Sequence, residues 1–547
     1  MRNLGEFWQK HWLGLVLVGA SLIFFVQYLY LYDNLLHRDS NNAPGVLIFN
    51  QPDEMANYAF IREWVLNGEV GIKEPLLEIS SQVHPRSMTV VDGRLVPIGF
   101  PGFIAVASSF IQPLIWLFGV SFFNIFLLSL TPLVAALSSI LLYGISRSLG
   151  LPKVAALAAG IGLLCLQPWW YYASRPLKAN TMFTFFILAG LWAGLRKNEK
   201  LTRFFLIGLS FGLALYLRPS EWVWVFGIII LLGIYNREFF KIKTLVAFGL
   251  GSGLMVLVFF LTQFAFYGSW LGSGYVRPNA DGSAGLITAG PQGIYWLKAL
   301  LLPFGFDGLA IAKTLYHYGF KLFLPWTVAA GFGFLYVIVD RKAFPLLFKY
   351  SLSLISLGLW LALYYGSWQF SDNLAGQVSI GSSQVRYFLP LYVLSIPLIA
   401  YLLFKLLTAH WTGKIIVTLI ILSLFSASYR AVYTKFEGLS YIWITVDKYY
   451  GWRQLVLEST PPDAVIVTRY ADKYLFPHRP VIATIDTSDG LEAVLKLLGT
   501  GVPVYWYDLT MKENDPISAS LIEKKIGLDK PVASWENLEL REMHLIK

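Results

Sequence analysis

The sequence predicts an all-α polytopic membrane protein with about eleven transmembrane helices and a small C-terminal α/β domain. Three observations carry that class. Of 547 residues, 56% are hydrophobic and only 14% charged, whereas a soluble chain carries about a quarter charged residues. Apolar runs of spanning length recur at short intervals up to about residue 432. After that point charge rises and short β-branched stretches replace the long runs.

The net charge of +10 does not point to nucleic acid, because most Lys and Arg sit in short loops between apolar runs, as the positive-inside rule requires. A single cysteine, Cys165, lies within an apolar run, so no intrachain disulfide is expected. "MRNLGEFWQKHW" precedes the first run and shows no small-residue cleavage site, so an uncleaved first span is expected.

The expected spans are 12–32, 121–145, 153–172, 180–196, 203–217, 219–235, 244–266, 319–339, 348–367, 387–408 and 413–432. "LRPSEW" divides the fifth from the sixth by a tight turn at Arg218 and Pro219. Placing the N-terminus in the cytoplasm keeps inside the basic loops with Arg147 and Lys153; Arg196, Lys197, Lys200 and Arg203; Arg237, Lys241 and Lys243; Arg341, Lys342 and Lys349; and Lys405 and Lys414. An odd number of spans then sets the C-terminal stretch outside. Domain boundaries of 1–432 for the membrane part and 433–547 for the α/β part follow. In the latter, "AVIVT", "PVIATI" and "VPVYWYD" alternate with helix-like "GLEAVLKLLG", the pattern of a largely parallel sheet. Three long loops, 33–120, 267–318 and 368–386, open on the outer side.

The candidate chemistry lies in those loops. "NQPDEMANYAFIREWVLNGE" places Asp53 and Glu54 at the start of a helix with one apolar face, expected to lie along the membrane interface. Acidic residues also begin helices simply to meet the dipole and cap exposed amides. A carboxylate in a partly dehydrated cleft, however, holds a raised pKa and accepts a proton from a hydroxyl. "VHPRSMTVVDGRLVPIGFPGFIAVASSF" follows, with His84, Arg86 and Arg94 ahead of a loop and a re-entrant or interfacial helix broken by Gly99, Pro101 and Gly102. Cations beside an acidic pair suit a phosphate leaving group, although any one of them taken alone reads better as an ordinary snorkelling or solvated side chain. Arg175 and Lys178 ("SRPLKAN"), Arg218 with Glu221, and Arg386 with Tyr387 ("VRYFLP") are basic clusters at outer span ends, against the positive-inside bias, and so need a partner. The candidates to meet a phosphate of the substrate are Arg86, Arg94, Arg218 and Arg386. The substrate-binding candidates are Tyr58, His84, Arg175, Lys178, Glu221 and Tyr387. No zinc-like spacing or phosphate loop occurs, so no cofactor is expected, while a divalent ion on Asp53, Glu54 and later carboxylates stays open.

Four stretches together resemble the GT-C superfamily of integral-membrane glycosyltransferases, in the branch of protein O-mannosyltransferases and the lipid A aminoarabinose transferase. They are "PDEMANYAFIREWVLNGE", "GFPGFIAVASSFIQPLIWLFG", "AALAAGIGLLCLQPWWYYASRPLKANTMFTFFILAGLWAGLR" and "VRYFLPLYVLSIPLIAYLL". The chain departs from the family in having Phe100-Pro101-Gly102 where a double proline is frequent, and Asn180 where an aspartate is frequent.

The resemblance implies a prokaryotic-type plasma-membrane enzyme working on its extracytoplasmic face among membrane lipids. It implies an inverting transfer of a hexosyl or pentosyl group from a polyprenyl-phosphate-linked sugar to a hydroxyl acceptor on protein, lipid or glycan, with Asp53 as general base and Glu54 its acidic neighbour. A transporter or flippase of lipid-linked sugars is the alternative. It calls for ionisable positions near the bilayer centre, and the span interiors carry almost none. A membrane scaffold, the third reading, leaves the acidic signature without a use.

Overall fold

The computed structural model describes residues 12–29, 45–196, 200–274, 302, 304–368, 377–511 and 515–546. Lys197 and parts of all three expected outer loops lie outside them. The chain divides into two compact units that interleave along it, whereas the expected division at 432/433 follows chain order. The first unit is Met1–Asn34, Leu127–Phe259 and Ile287–Tyr441; the second is Leu35–Phe126, Phe260–Leu286 and Ile442–Lys547.

The first unit is helical, since apolar segments satisfy their backbone groups within the segment when water is absent. Where it is described, each expected span falls on helical segments. Among the described residues of the chain, six helices are long and apolar enough to cross a membrane, or nine if each bent pair counts as one span. The bends follow the prolines. Arg218 precedes Pro219 and is driven out of the helical region, to φ −142° and ψ 79°. Helices Leu201–Leu217 and Pro219–Tyr235 consequently turn by 120°. The expected single run 153–172 is broken too. Leu166 is extended ahead of Gln167-Pro168, and the two pieces meet at 56°. Leu201–Leu217 and Ile242–Tyr267 cross at backbone contact: a Cβ on Gly208 would stand 2.1 Å from the Phe248 carbonyl oxygen, and one on Gly251 2.2 Å from that of Phe205. Only glycine permits that approach.

The second unit holds the acidic-pair helix, Pro52–Asn67, which ends at Gly68 in the left-handed conformation (φ 71°). Its apolar face, expected to lie along the membrane interface, is packed on neighbouring aromatic side chains. Tyr58 packs on Phe49 (5.2 Å between centroids) and Phe123 (6.1 Å), and Trp64 on Phe266 (5.8 Å), so neighbouring aromatic residues already cover it. The stretch after it is a hairpin of β2 (Met88–Val91) and β3 (Arg94–Pro97), with β1 (Ile72–Lys73) added at its edge. Asp92 and Gly93 both take positive φ, 49° and 70°, as a two-residue turn demands. The apolar helix Gly102–Phe118 follows.

The C-terminal region forms a six-stranded sheet from β4 (Val465–Val467), β5 (Val481–Ile482), β6 (Val504–Leu509), β7 (Ile526–Leu528), β8 (Ala533–Trp535) and β9 (Leu538–Leu545). Its order is β5-β4-β6-β9-β7, with β8 also on β9. Only β5-β4-β6 are parallel, so the largely parallel sheet is corrected to a mixed one. The connection from β8 to β9 is too short for the crossover that a parallel pair needs. The core of this sheet, with Val467, Trp506, Val494 and Met543, also takes in Val83, while Leu76, Leu77 and Ile79 pack against it. The first loop and the C-terminal region therefore share one core.

An ion pair joins the same two stretches. Asp472 is wholly buried, and Arg86 donates to it from Nη2 at 2.6 Å, from Nε at 3.0 Å and from its backbone N–H at 2.8 Å. Burial disfavours the guanidinium charge, but Asp472 outweighs that and holds the Arg86 pKa above its ordinary value. Replacing Arg86 by Met strands a buried carboxylate and is expected to cost about 3 kcal/mol or more. Thermal unfolding of the full chain in detergent measures it, and Asp472→Asn with Arg86→Met should recover part of the loss.

Candidate functional site

In the second unit Asp53 stands in the first helical turn, half-buried, and Glu54 behind it is 2% exposed. The helix carries no side-chain cap at Gln51, so the two carboxylates supply the negative charge that its N-terminus favours. The Ser87 hydroxyl donates to Asp53 Oδ1 at 2.6 Å. Ser87 holds φ 62°, a left-handed conformation uncommon for serine. Neighbouring contacts impose it: Arg86 is fastened to Asp472, and Ile98 N–H donates to the Ser87 carbonyl at 3.1 Å. No sequence signal marks Ser87, because its aim depends on the hairpin and on a partner 385 residues later along the chain, Asp472.

The other candidates of this unit are built into its frame. Arg86 serves Asp472 and donates from Nη2 to the Tyr470 carbonyl at 3.1 Å. Arg94 donates to the Val70 carbonyl at 3.2 Å, holding β3 against the chain leaving the acidic helix. His84 is buried with Nδ1 3.0 Å from the Pro85 carbonyl. The Tyr58 ring is in the core, its hydroxyl 3.1 Å from Asn124 Oδ1 and 3.2 Å from the Gly45 carbonyl.

In the first unit the helix break at Arg218 assembles a second cluster. Glu221, 3% exposed, accepts from Arg218 Nη2 at 2.6 Å, from the Tyr365 hydroxyl at 2.6 Å and from Trp224 Nε1 at 2.5 Å. The Arg218 guanidinium lies over the Tyr387 ring at 4.6 Å, and the Arg386 guanidinium stands 5.3 Å from the same ring. Tyr387 stacks on Tyr365 (4.4 Å, 18°). Arg175 and Lys178 are each 3% exposed, and Arg175 donates to the Tyr171 hydroxyl at 3.0 Å. Asn180 ties that loop to the next, donating to the Arg386 carbonyl at 3.0 Å, while the Tyr172 hydroxyl donates to the Ser382 carbonyl at 3.2 Å. Arg175, Arg218, Glu221, Arg386 and Tyr387 thus belong to one network of short contacts. Its arginines meet aromatic faces and hydroxyls, with Glu221 paired to Arg218. Among the described residues, no three His, Cys, Asp or Glu side chains come together as metal ligands would.

No family model matches this chain, and no curated protein matches it. Solved structures do. The chain has the GT-C fold. It is similar to ArnT, the lipid A aminoarabinose transferase, from Cupriavidus metallidurans bound to undecaprenyl phosphate, at 12% identity over 97% of this chain and 98% of that one, with a TM-score of 0.52. It is similar to the Archaeoglobus fulgidus oligosaccharyltransferase in its apo form, at 13% identity over 92% of this chain and 70% of that one (TM-score 0.56). The same archaeal enzyme, AglB, in complex with an inhibitory peptide and a dolichol-phosphate matches at 12% identity over 92% of this chain and 70% of that one (TM-score 0.50). The expected resemblance holds at the level of fold, and with its apolar helices the chain is an integral membrane protein.

Replacing Glu221 by Ala leaves Arg218 without its counter-charge and is expected to lower stability by about 3 kcal/mol. Glu221→Gln keeps an acceptor and should lose less. Thermal unfolding of the detergent-solubilised chain distinguishes the two.

Proposed function

We propose that the chain is an inverting glycosyltransferase that moves a sugar from a polyprenyl-phosphate donor to an acceptor hydroxyl at the extracytoplasmic membrane face. The observation that carries this reading is the carboxylate of Asp53, aimed by the strained Ser87, in a chain that folds end to end like ArnT. Of the similar structures, ArnT is bound to undecaprenyl phosphate and AglB is in complex with a dolichol-phosphate. That supports a lipid-linked donor here.

In this reading Asp53 takes the proton from the acceptor oxygen as it attacks the anomeric carbon from the face opposite the phosphate. The C–O bond to phosphate breaks, its electron pair leaves with the polyprenyl phosphate, and configuration inverts. Ser87 holds Asp53 in one orientation, and Glu54 adds negative charge behind it. Arg386 and Arg218 neutralise the phosphate, with Glu221 holding Arg218 over the Tyr387 ring. Arg86 and Arg94, fastened to Asp472 and Val70, brace the acidic loop instead. Within the second unit the C-terminal region supports the acidic helix, through Asp472 and the shared core. A transporter would also use a broken span. At this break, however, Glu221 is already engaged by Arg218, Tyr365 and Trp224, which disfavours a role in carrying ions.

Asp53→Asn is expected to reduce transfer by about 10²–10⁴-fold while donor binding stays within about threefold of the wild type. The assay is purified enzyme with a panel of polyprenyl-phosphate sugars and a membrane extract, the product read by mass spectrometry. Transfer near the wild-type rate would remove Asp53 as the base. Arg386→Ala is expected to weaken donor affinity about tenfold with a smaller effect on kcat, since the donor phosphate is charged before and during reaction. Unchanged donor affinity in a binding titration would refute that role.

A further inference from the structure

The first unit contains an apolar cavity of about 410 Å³ that neither cluster uses. It is lined by helices Ala179–Leu195, Trp222–Tyr235, Pro345–Tyr365 and Leu389–Ala409, through residues that include Leu195, Leu232, Tyr350, Leu357 and Leu394. Of the four hydroxyl side chains that line it, Tyr235, Tyr350, Ser353 and Ser356, three are already spent. Tyr350 donates to the Leu394 carbonyl at 2.6 Å, Ser353 to the Lys349 carbonyl at 3.0 Å and Ser356 to the Leu352 carbonyl at 3.1 Å. A buried water needs two to four polar partners, so a wall with these groups occupied favours hydrocarbon over water.

Where the cavity opens, the helices face outward with bare apolar side chains: Ile234 is 65%, Leu352 45% and Leu231 43% exposed. In a bilayer that flank meets lipid tails. The helix ends beside the opening are basic. Lys349 lines the cavity itself and, among the described residues, makes no ion pair. Arg196 follows Leu195, Arg237 lies two residues after Tyr235, and Arg341 with Lys342 precedes Pro345. Glu238 in that region is paired with Lys241 at 2.5 Å.

We propose that this cavity binds one acyl chain of an anionic phospholipid, with the lipid phosphate held at Lys349. A slot of this volume takes a single alkyl chain, and the basic rim selects a negative headgroup over a zwitterionic one. Lys349 supplies the charge and the Leu-lined wall supplies the affinity. The site is independent of the sugar transfer proposed above, because none of its residues takes part in that chemistry.

The test is a titration of the delipidated full-length protein in mild detergent with palmitoyl-oleoyl phosphatidylglycerol and with the matched phosphatidylcholine, bound lipid counted by native mass spectrometry. The expected result is one phosphatidylglycerol bound about fivefold or more tightly than phosphatidylcholine. Lys349→Gln should erase that preference, and Ser353→Phe, which fills the cavity, should abolish retention of both lipids. If Ser353→Phe does not fold, Ser356→Phe makes the same test from the same helix. Equal binding of the two lipids by the wild type would overturn the proposal. So would retention in the cavity-filled variant, or displacement of phosphatidylglycerol by a lower concentration of undecaprenyl phosphate.

Discussion

Everything specific about the acidic loop depends on one buried carboxylate. Asp472 has no exposure to water and takes hydrogen bonds from both the backbone and the guanidinium of Arg86. A buried charge of this kind is stable only when its partner stays in place, so it constrains the chain on either side of Arg86. The next residue, Ser87, is thereby held in a conformation it would rarely adopt, and its hydroxyl meets Asp53. The order of influence runs from the C-terminal region, through an arginine, to the carboxylate proposed as base. An arginine that looks like a ligand for phosphate is a structural clamp, and the serine beside it does the positioning.

The membrane-embedded unit obeys a different constraint. Its helices exist because hydrocarbon offers no partners for the backbone, and two of them break beside Pro168 and Pro219, whereas Pro132 and Pro397 sit inside unbroken helices. Charged groups gather at such a break because it lies where polar contacts are still available. At Pro219 the break turns Arg218 towards Glu221, and Tyr365 and Trp224 complete the carboxylate's hydrogen bonds. Stacking of Tyr387 between Tyr365 and the arginines then gives the cluster a flat aromatic floor. Such a floor resists reorientation of the guanidinium, which a strongly hydrated ammonium would not do equally well.

The positions of the apolar helices were legible in the chain, because whether a run of residues partitions into hydrocarbon depends on its own composition and length. The acidic helix was legible too, from its spacing and its opening carboxylates, and so was the basic-aromatic character of the loops at Arg175, Arg218 and Arg386. The Asp92-Gly93 turn was present as a signal, yet the apolar stretch around it read as a loop and an interfacial helix. Alternation over four residues competes poorly with a strong helical pattern beside it.

What the tertiary structure alone decided is which charges are partners and which surfaces are covered. Arg86 and Arg218 look alike in the sequence, both being cations beside apolar stretches. One is matched to a carboxylate hundreds of residues away, the other to one three residues on. The cover of the acidic helix by Phe49, Phe123 and Phe266, the antiparallel return of β9, and the aim of Ser87 likewise arise from contacts between distant segments. Composition and period determine what a segment is, since those are properties of neighbours in sequence. Pairing of buried charge is settled only when the fold brings the two groups to within hydrogen-bond length.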